Sequence, residues 1–166
     1  MKEQKLIRVD DSPIDHASAV NLLNSGGQNN SHGAEIIFFG VVRNINLGRQ
    51  VTAVSYEAFA PLTENVFLTI CSQARERWGE DLKICILHRT GKLLVGDISL
   101  AIAVSSKHRD ESYKVSRFVI EQIKERAPIW KKEFYIDGES EWLKGHALCQ
   151  SDPGHAENPP LSSETL

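Results

Sequence analysis

"ISLAIAVSS", residues 98–106, decides the fold class. Ile98, Leu100, Ile102 and Val104 recur at every second position, the period of a β-strand with one apolar face. A Gly96-Asp97 turn precedes it. Upstream, a second apolar run, KICILHR (83–89), reads as a strand that ends in a Thr90-Gly91 turn. Two strands separated by a short turn-rich segment are hairpin-like neighbours rather than halves of a βαβ crossover. Downstream, the period changes to that of a helix. Val115, Val119 and Ile123 form a stripe from about Asp110, and Pro128 disfavours a helical Ala127, so the helix stops there.

The same reading extends in both directions. KLIRV (5–9) suits a short strand. Ser12-Pro13-Ile14-Asp15 reads as a helix start, with Ser12 as N-cap, Pro13 at the first helical position and a helix to about Leu23. SGGQNNSHG (25–33) is a polar loop without the spacing of a phosphate-binding loop. AEIIFFGVV (34–42) is a buried strand in which Gly40 permits a bulge or a close backbone approach. RNINLGRQ (43–50) reads as a loop and VTAVSYEAF (51–59) as a strand. Pro61 opens a helix with Val66, Ile70, Ala74 and Trp78 as its stripe, ended by Gly79. WKKEFYI (130–136) is a strand, Asp137-Gly138 a turn and EWL (141–143) a returning strand. The expected class is α+β, a mixed and largely antiparallel sheet with packed helices. One domain is expected over residues 1–145, and residues 146–166, polar and proline-containing, are expected to form a flexible C-terminal tail.

Composition narrows the function. Nineteen basic against twenty-two acidic residues give a formal charge of -3, which argues against general electrostatic binding of nucleic acid. No run of eighteen apolar residues exists, so no membrane span is expected. The N-terminal MKEQKLIRVDDSP lacks the apolar stretch of a signal peptide, so the expected compartment is the cytoplasm. Three scattered cysteines, Cys71, Cys85 and Cys149, form no CxxC, and the histidines form no HxH or HxxxH pair. No protein-bound metal and no cofactor are expected. Cys71 and Cys85 read as small core residues.

Against this slightly acidic background, basic residues gather where elements end. KERAPIWKKE (124–133) carries Lys124, Arg126, Lys131 and Lys132 around a proline and a tryptophan. Pro128 keeps Lys124 and Lys131 off one continuous helix face but lets them line one corner from successive elements. Two ammonium groups brought close favour release of a proton from one of them, as proton transfer requires. The competing reading is a solvated helix end whose cations complement the helix dipole. Lys107-His108-Arg109 occupies a strand-to-helix junction, where Arg109 offers a planar fork for phosphate and His108 a donor or proton carrier. A strand-end pair facing water is the alternative. Arg43 closes the FFGVV strand as an anion ligand or a solvated charge. His88-Arg89 runs into a turn and reads as structural. Together the basic loci suggest a pocket for an anionic small molecule without identifying it.

Five ordered motifs carry a resemblance: FFGVVRNINLG (38–48), YEAFAPLTE (56–64), HRTGKLLVGD (88–97), AVSSKHRDE (103–111) and IKERAPIWKKE (123–133). Over about residues 5–145 the chain resembles the large, catalytic subunit of molybdopterin synthase. The resemblance implies an α/β-hammerhead fold and a homodimer. Each protomer would bind a small ubiquitin-like sulfur-carrier subunit, giving a heterotetramer. The carrier's C-terminal Gly-Gly thiocarboxylate would give sulfur to cyclic pyranopterin monophosphate and build the dithiolene of molybdopterin. The family's catalytic lysines fall on Lys124 and Lys131. Its substrate pocket falls on Val41, Val42, Arg43, His108, Arg109, Lys124, Lys131, Lys132 and Glu133, completed across the dimer interface. Val41 stands where such proteins often carry a polar residue, so it would act through backbone or shape. The alternatives are a carrier-binding subunit without chemistry and an unrelated phosphate-ligand module.

Overall fold

The computed structural model describes residues 6–24 and 30–142. Twelve elements follow in order: β1 (Ile7–Asp10), α1 (His16–Asn24), β2 (Ala34–Val41), β3 (Ile45–Asn46), β4 (Arg49–Ala58), α2 (Ala60–Trp78), β5 (Lys83–Arg89), β6 (Gly91–Leu94), β7 (Ile98–Ser106), α3 (Arg109–Arg126), β8 (Ile129–Tyr135) and β9 (Ser140–Trp142). The class is α+β. The strands divide into two sheets. The first has the order β1-β5-β7-β2, with β1 parallel to β5 and the other pairs antiparallel. The second is antiparallel, with the order β3-β4-β8-β9 and β6 on the edge of β4 opposite β8.

The strand over residues 98–106 falls where its alternation places it, but both of its faces are covered. Ile102 and Val104 enter the main core with Ile84 and Ile86. Ala101 and Ala103, on the other face, pack with Ala19, Leu23, Cys85 and Leu87 under α1. Small residues on that face let α1 approach the sheet. In α2 the buried stripe is Thr63, Phe67, Ile70, Cys71 and Ala74, with Val66 and Trp78 at its margin. The stripe is thus rotated from the one expected.

Three local expectations are corrected. The first helix starts later than Ser12-Pro13. The Ser12 N–H is taken by Asp10 Oδ1 at 3.0 Å, a turn closing β1. Asp15 is the cap instead, its Oδ1 accepting from the Ser18 N–H at 2.6 Å and the Ser18 hydroxyl at 2.7 Å. Residues 43–50 are no simple loop, because β3 and β4 form a hairpin there, with Asn46 opposite Arg49. Leu47 and Gly48 both take positive φ, 48° and 78°, as a type I′ turn requires. The Thr90-Gly91 turn leads at once into β6, a strand too short to show periodicity.

Gly40 marks a register shift against β7 between Gly40 and Val41, the bulge that is one of the two readings of this glycine. A Cβ there would lie 3.4 Å from the Leu100 Cβ. α3 ends as its sequence requires. The Ala127 N–H still donates to the Ile123 carbonyl at 2.9 Å, while Ala127 is extended before Pro128. The tail expected over 146–166 lies outside the described residues. Among the described residues no helix is long and apolar enough to cross a membrane.

Candidate active site

The fold sorts the candidate residues into two groups at opposite ends of α3. The first lies toward its C-terminal end. Lys124 is exposed on the last turn, and the chain then passes Pro128 into β8, which carries Lys131, Lys132 and Glu133. Arg43, exposed, follows β2 on the segment leading into the β3–β4 hairpin. That segment is fixed at Val42, whose N–H donates to the Asp97 carbonyl and whose carbonyl accepts from the Gly96 N–H, each at 2.9 Å. Val42 is buried, and Val41, just past the bulge, is about half exposed.

The second group is His108 with Arg109, both exposed at the N-terminus of α3. The Ser106 hydroxyl donates to the His108 carbonyl at 2.8 Å and is 2.6 Å from the Ser112 hydroxyl. Ser112 also reaches the Ala34 carbonyl at 3.3 Å. These bonds lock the start of α3 to the start of β2. Because β2 runs antiparallel to β7, with Ala34 opposite Ser106 and Val41 opposite Ile98, its far end carries Val41 to Arg43 away from His108. Lys124 lies fifteen positions after Arg109 along α3, about 22 Å at the usual rise. A single protomer does not bring the two groups into one pocket.

Within β8 the two-residue period separates neighbours. Lys131, Glu133 and Tyr135 share the inner face with buried Ile129. Lys132 lies on the outer face, its ammonium 5.5 Å from the ring centroids of Phe134 and Trp142. Lys131 and Lys132 therefore address different sides of the sheet.

Glu133 is 1% exposed. Its Oε1 lies 2.5 Å from Lys131 Nζ, and its Oε2 accepts from Asn46 Nδ2 at 2.9 Å and the Tyr135 hydroxyl at 3.0 Å. Burial pushes this carboxyl up, but the Lys131 ammonium and the two further donors outweigh it, so the net shift is below the usual carboxylate range. Glu133 stays ionised and holds a lysine that is 20% exposed. Tyr56 lies opposite Lys131 on β4, with the His88 ring edge-on to it at 5.2 Å. Burial holds His88 neutral, down to about 4, in keeping with a structural role. Asn46 and Tyr135 were not among the sequence candidates. The Leu47-Gly48 turn beside Asn46 was the signal available for the first.

Cys71 and Cys85 are both buried, and burial pushes both thiols up to about 11, which keeps them from acting as nucleophiles. Among the described residues no group of three His, Cys, Asp or Glu side chains is placed to hold a metal ion. Among the described residues the site offers a held lysine beside a buried carboxylate and further cations at element ends, with no thiolate.

An α+β chain with such a lysine-centred basic site fits a group-transfer enzyme acting on anions. Comparison with known proteins makes this specific. The MoaE protein family matches residues 9–126. The molybdopterin synthase catalytic subunit of Synechococcus elongatus is 46% identical over 119 residues, covering 72% of each chain. The crystal structure of molybdopterin synthase from Staphylococcus aureus is 34% identical, with a TM-score of 0.75, covering 84% of this chain and 97% of that one. A complex of subunits 1 and 2 of molybdopterin-converting factor from Helicobacter pylori superposes with a TM-score of 0.69 at 19% identity, a likeness of fold alone. The chain belongs to the MoaE family of molybdopterin synthase catalytic subunits.

Proposed function

We propose that the chain transfers sulfur from the C-terminal thiocarboxylate of a small ubiquitin-like carrier subunit to cyclic pyranopterin monophosphate, in two rounds that build the dithiolene of molybdopterin. The observation that carries this reading is Lys131, largely enclosed and held by the ionised, buried Glu133. An ammonium so fixed offsets negative charge as the carrier's thioacid adds to the substrate and its carboxylate departs, and it lies within reach of proton transfer. Lys124 is the second catalytic lysine, arriving from the last turn of α3. Arg43 binds substrate anion beside them, with Val41 and Val42 shaping the wall. Sulfur arrives on the partner, so the neutral thiols of Cys71 and Cys85 have no part to play.

His108 and Arg109 bind the cyclic phosphate and pterin, from the other end of α3. Their separation from Lys124 is the reason to place them in a pocket shared by two protomers: one copy supplies the lysines and Arg43, its partner His108 and Arg109. The working assembly is then a homodimer carrying two carrier subunits, acting in the cytoplasm. Lys132, on the outer face of β8, contributes charge to the substrate's approach rather than to the lysine pair.

The test is incubation of the purified chain with thiocarboxylated carrier and cyclic pyranopterin monophosphate, with mass detection of the product. A dithiolene product bearing two new sulfurs supports the reading. Carrier binding without product would make the chain a non-catalytic interaction subunit. Equal affinity for unrelated phosphate esters, without carrier binding, would make it a general phosphate module.

A further inference from the structure

We infer that Asn46 and Tyr135 are positioning residues for Lys131, acting through Glu133; this rests on the reading of Lys131 as a catalytic lysine. Glu133, at 1% exposure, is too enclosed to meet substrate. Its effect passes through Lys131, 2.5 Å from Oε1. A carboxylate bonded only at that oxygen can swing about its terminal torsion, which is broad and soft, and carry the ammonium with it. Here Oε2 is pinned by two donors on different strands, Asn46 Nδ2 at 2.9 Å and the Tyr135 hydroxyl at 3.0 Å. With Oε2 fixed, Oε1 has one orientation, and so has Lys131.

One two-residue turn delivers both supports. Asn46 precedes the Leu47-Gly48 turn and Arg49 follows it, paired across the hairpin with side chains on the same face. Asn46 grips Glu133 directly. Arg49 lies 3.5 Å over the Tyr135 ring and is anchored by Asp137 at 3.2 Å and Glu139 at 2.8 Å. The hairpin thus clamps both groups that hold Glu133. Stability alone does not account for such an arrangement, because an apolar set of similar volume commonly serves a core as well as a buried ion pair. Placement of an ammonium to within a fraction of an ångström does account for it.

The test uses the assembled synthase with its carrier, in wild type, Asn46→Ala, Tyr135→Phe and Asn46→Asp. Three quantities are read: the single-turnover rate, KM for the pterin precursor, and the rate of amine labelling of Lys131 relative to Lys92, by mass spectrometry. Lys92 sits on the outer face of the same sheet over Phe134 and serves as internal standard. The expected result is a rate lowered about tenfold in Asn46→Ala and Tyr135→Phe, the order of loss from a small misplacement, with KM within about twofold. The Lys131 labelling ratio rises severalfold as the ammonium is freed. Asn46→Asp keeps the shape but sets a second carboxylate against Glu133, so it loses more than Asn46→Ala, whereas a packing role predicts the reverse. Unchanged rates and labelling overturn the inference, as does a KM increase at constant rate, which would put these residues on the substrate, or a loss that follows only a lowered melting temperature. If Lys131→Ala keeps full turnover, the reading of Lys131 fails and this inference with it. If Lys131→Ala abolishes turnover while Asn46→Ala and Tyr135→Phe are unimpaired, positioning alone fails.

Discussion

The two sheets face one core with different chemistry. The inner face of the first is aliphatic, built from Ile84, Ile86, Ile102 and Val104, and its one titratable member, His88, is kept neutral. The inner face of the second carries Lys131, Glu133 and Tyr135 between Ile129 and the hairpin, and its buried carboxylate is kept charged. A buried charge is tolerated only where every lone pair or proton has a partner. The second sheet therefore devotes a hairpin to satisfying Glu133, while the first needs only close packing. Polar machinery concentrated on one of two sheets marks where chemistry is expected, and the contrast can be tested from either side.

The largest expected effect is on the polar sheet. Lys131→Ala should fold, bind carrier and lose product formation by about 10²–10⁴, the range for a positioned proton-transfer group. Single-turnover measurement on preformed carrier complex separates this from binding. Lys131→Arg should recover little, since arginine keeps charge but does not give up a proton. Lys132→Ala, on the opposite face, should lose much less. If the two lysines prove equivalent, the division between inner and outer faces has no catalytic meaning.

Next is the division along α3. Arg109→Ala should weaken the pterin substrate by about 1.5–3 kcal/mol, as for loss of a charge-assisted hydrogen bond, and leave carrier binding nearly intact in separate titrations. Mixing Arg109→Ala protomers with Lys131→Ala protomers should restore a substantial share of activity, because a mixed dimer holds one site with both groups intact. No recovery on mixing would mean that His108 and Arg109 serve a different site from the lysines.

These variants also show what was legible in the sequence. The strand over 98–106, KICILHR and the stop at Ala127-Pro128 were readable because period and proline chemistry are local. The hairpin at residues 43–50 was not, since leucine is an unusual residue at a left-handed turn position and β3 is two residues long. The alternation of β7 concealed a second buried face, because Ala101 and Ala103 are too small to announce burial. In the candidate site, Lys131, Lys132 and Glu133 read as one run of charge. Only the strand period, applied to that run, separates Lys132 from the other two. The distance between His108-Arg109 and Lys124 follows from α3 being one unbroken helix, but the support of Glu133 by Asn46, 87 residues earlier in the chain, has no local signature.

The aliphatic sheet yields a pH-dependent effect on stability rather than on catalysis. His88 is 3% exposed and held down to about 4 by burial, partly offset by its bond to the Arg89 carbonyl. In the unfolded chain it takes a proton near 6.5. Between those values the unfolded state binds the extra proton, so stability is full above about 6.5 and declines as pH falls, by at most about 1.4 kcal/mol per unit, until about 4. Glu133 acts in a lower window: its folded value is depressed, so its contribution is present above about 4.5 and lost as pH falls through the folded value. Denaturant unfolding from pH 7 to 4.5 should thus show a slope that His88→Phe removes and Glu133→Gln leaves in place. A slope unchanged in His88→Phe would mean the first sheet tolerates a charged histidine.

The smallest effect concerns the turn joining the clamp's two arms. Leu47 sits at φ 48°, where a side chain with a Cβ is disfavoured and asparagine is better tolerated. It is 73% exposed, so replacing it forfeits little burial. Leu47→Asn should therefore stabilise the isolated chain by about 0.5–1 kcal/mol, a part of the roughly 1–2 kcal/mol left-handed penalty that asparagine bears more easily. Asn46 and Arg49 keep their register, because Asn-Gly suits a type I′ turn at least as well as Leu-Gly. Catalysis by preformed complex should be unchanged. A melting temperature raised by a few degrees with normal turnover identifies Leu47 as an imperfect turn residue. The same rise with weakened carrier binding or dimerisation would show that Leu47 is kept for contact with a partner at the expense of turn stability. A fall in melting temperature would mean that the exposed leucine supports the hairpin by packing, and that the clamp on Glu133 depends on its tip as well as on Asn46 and Arg49.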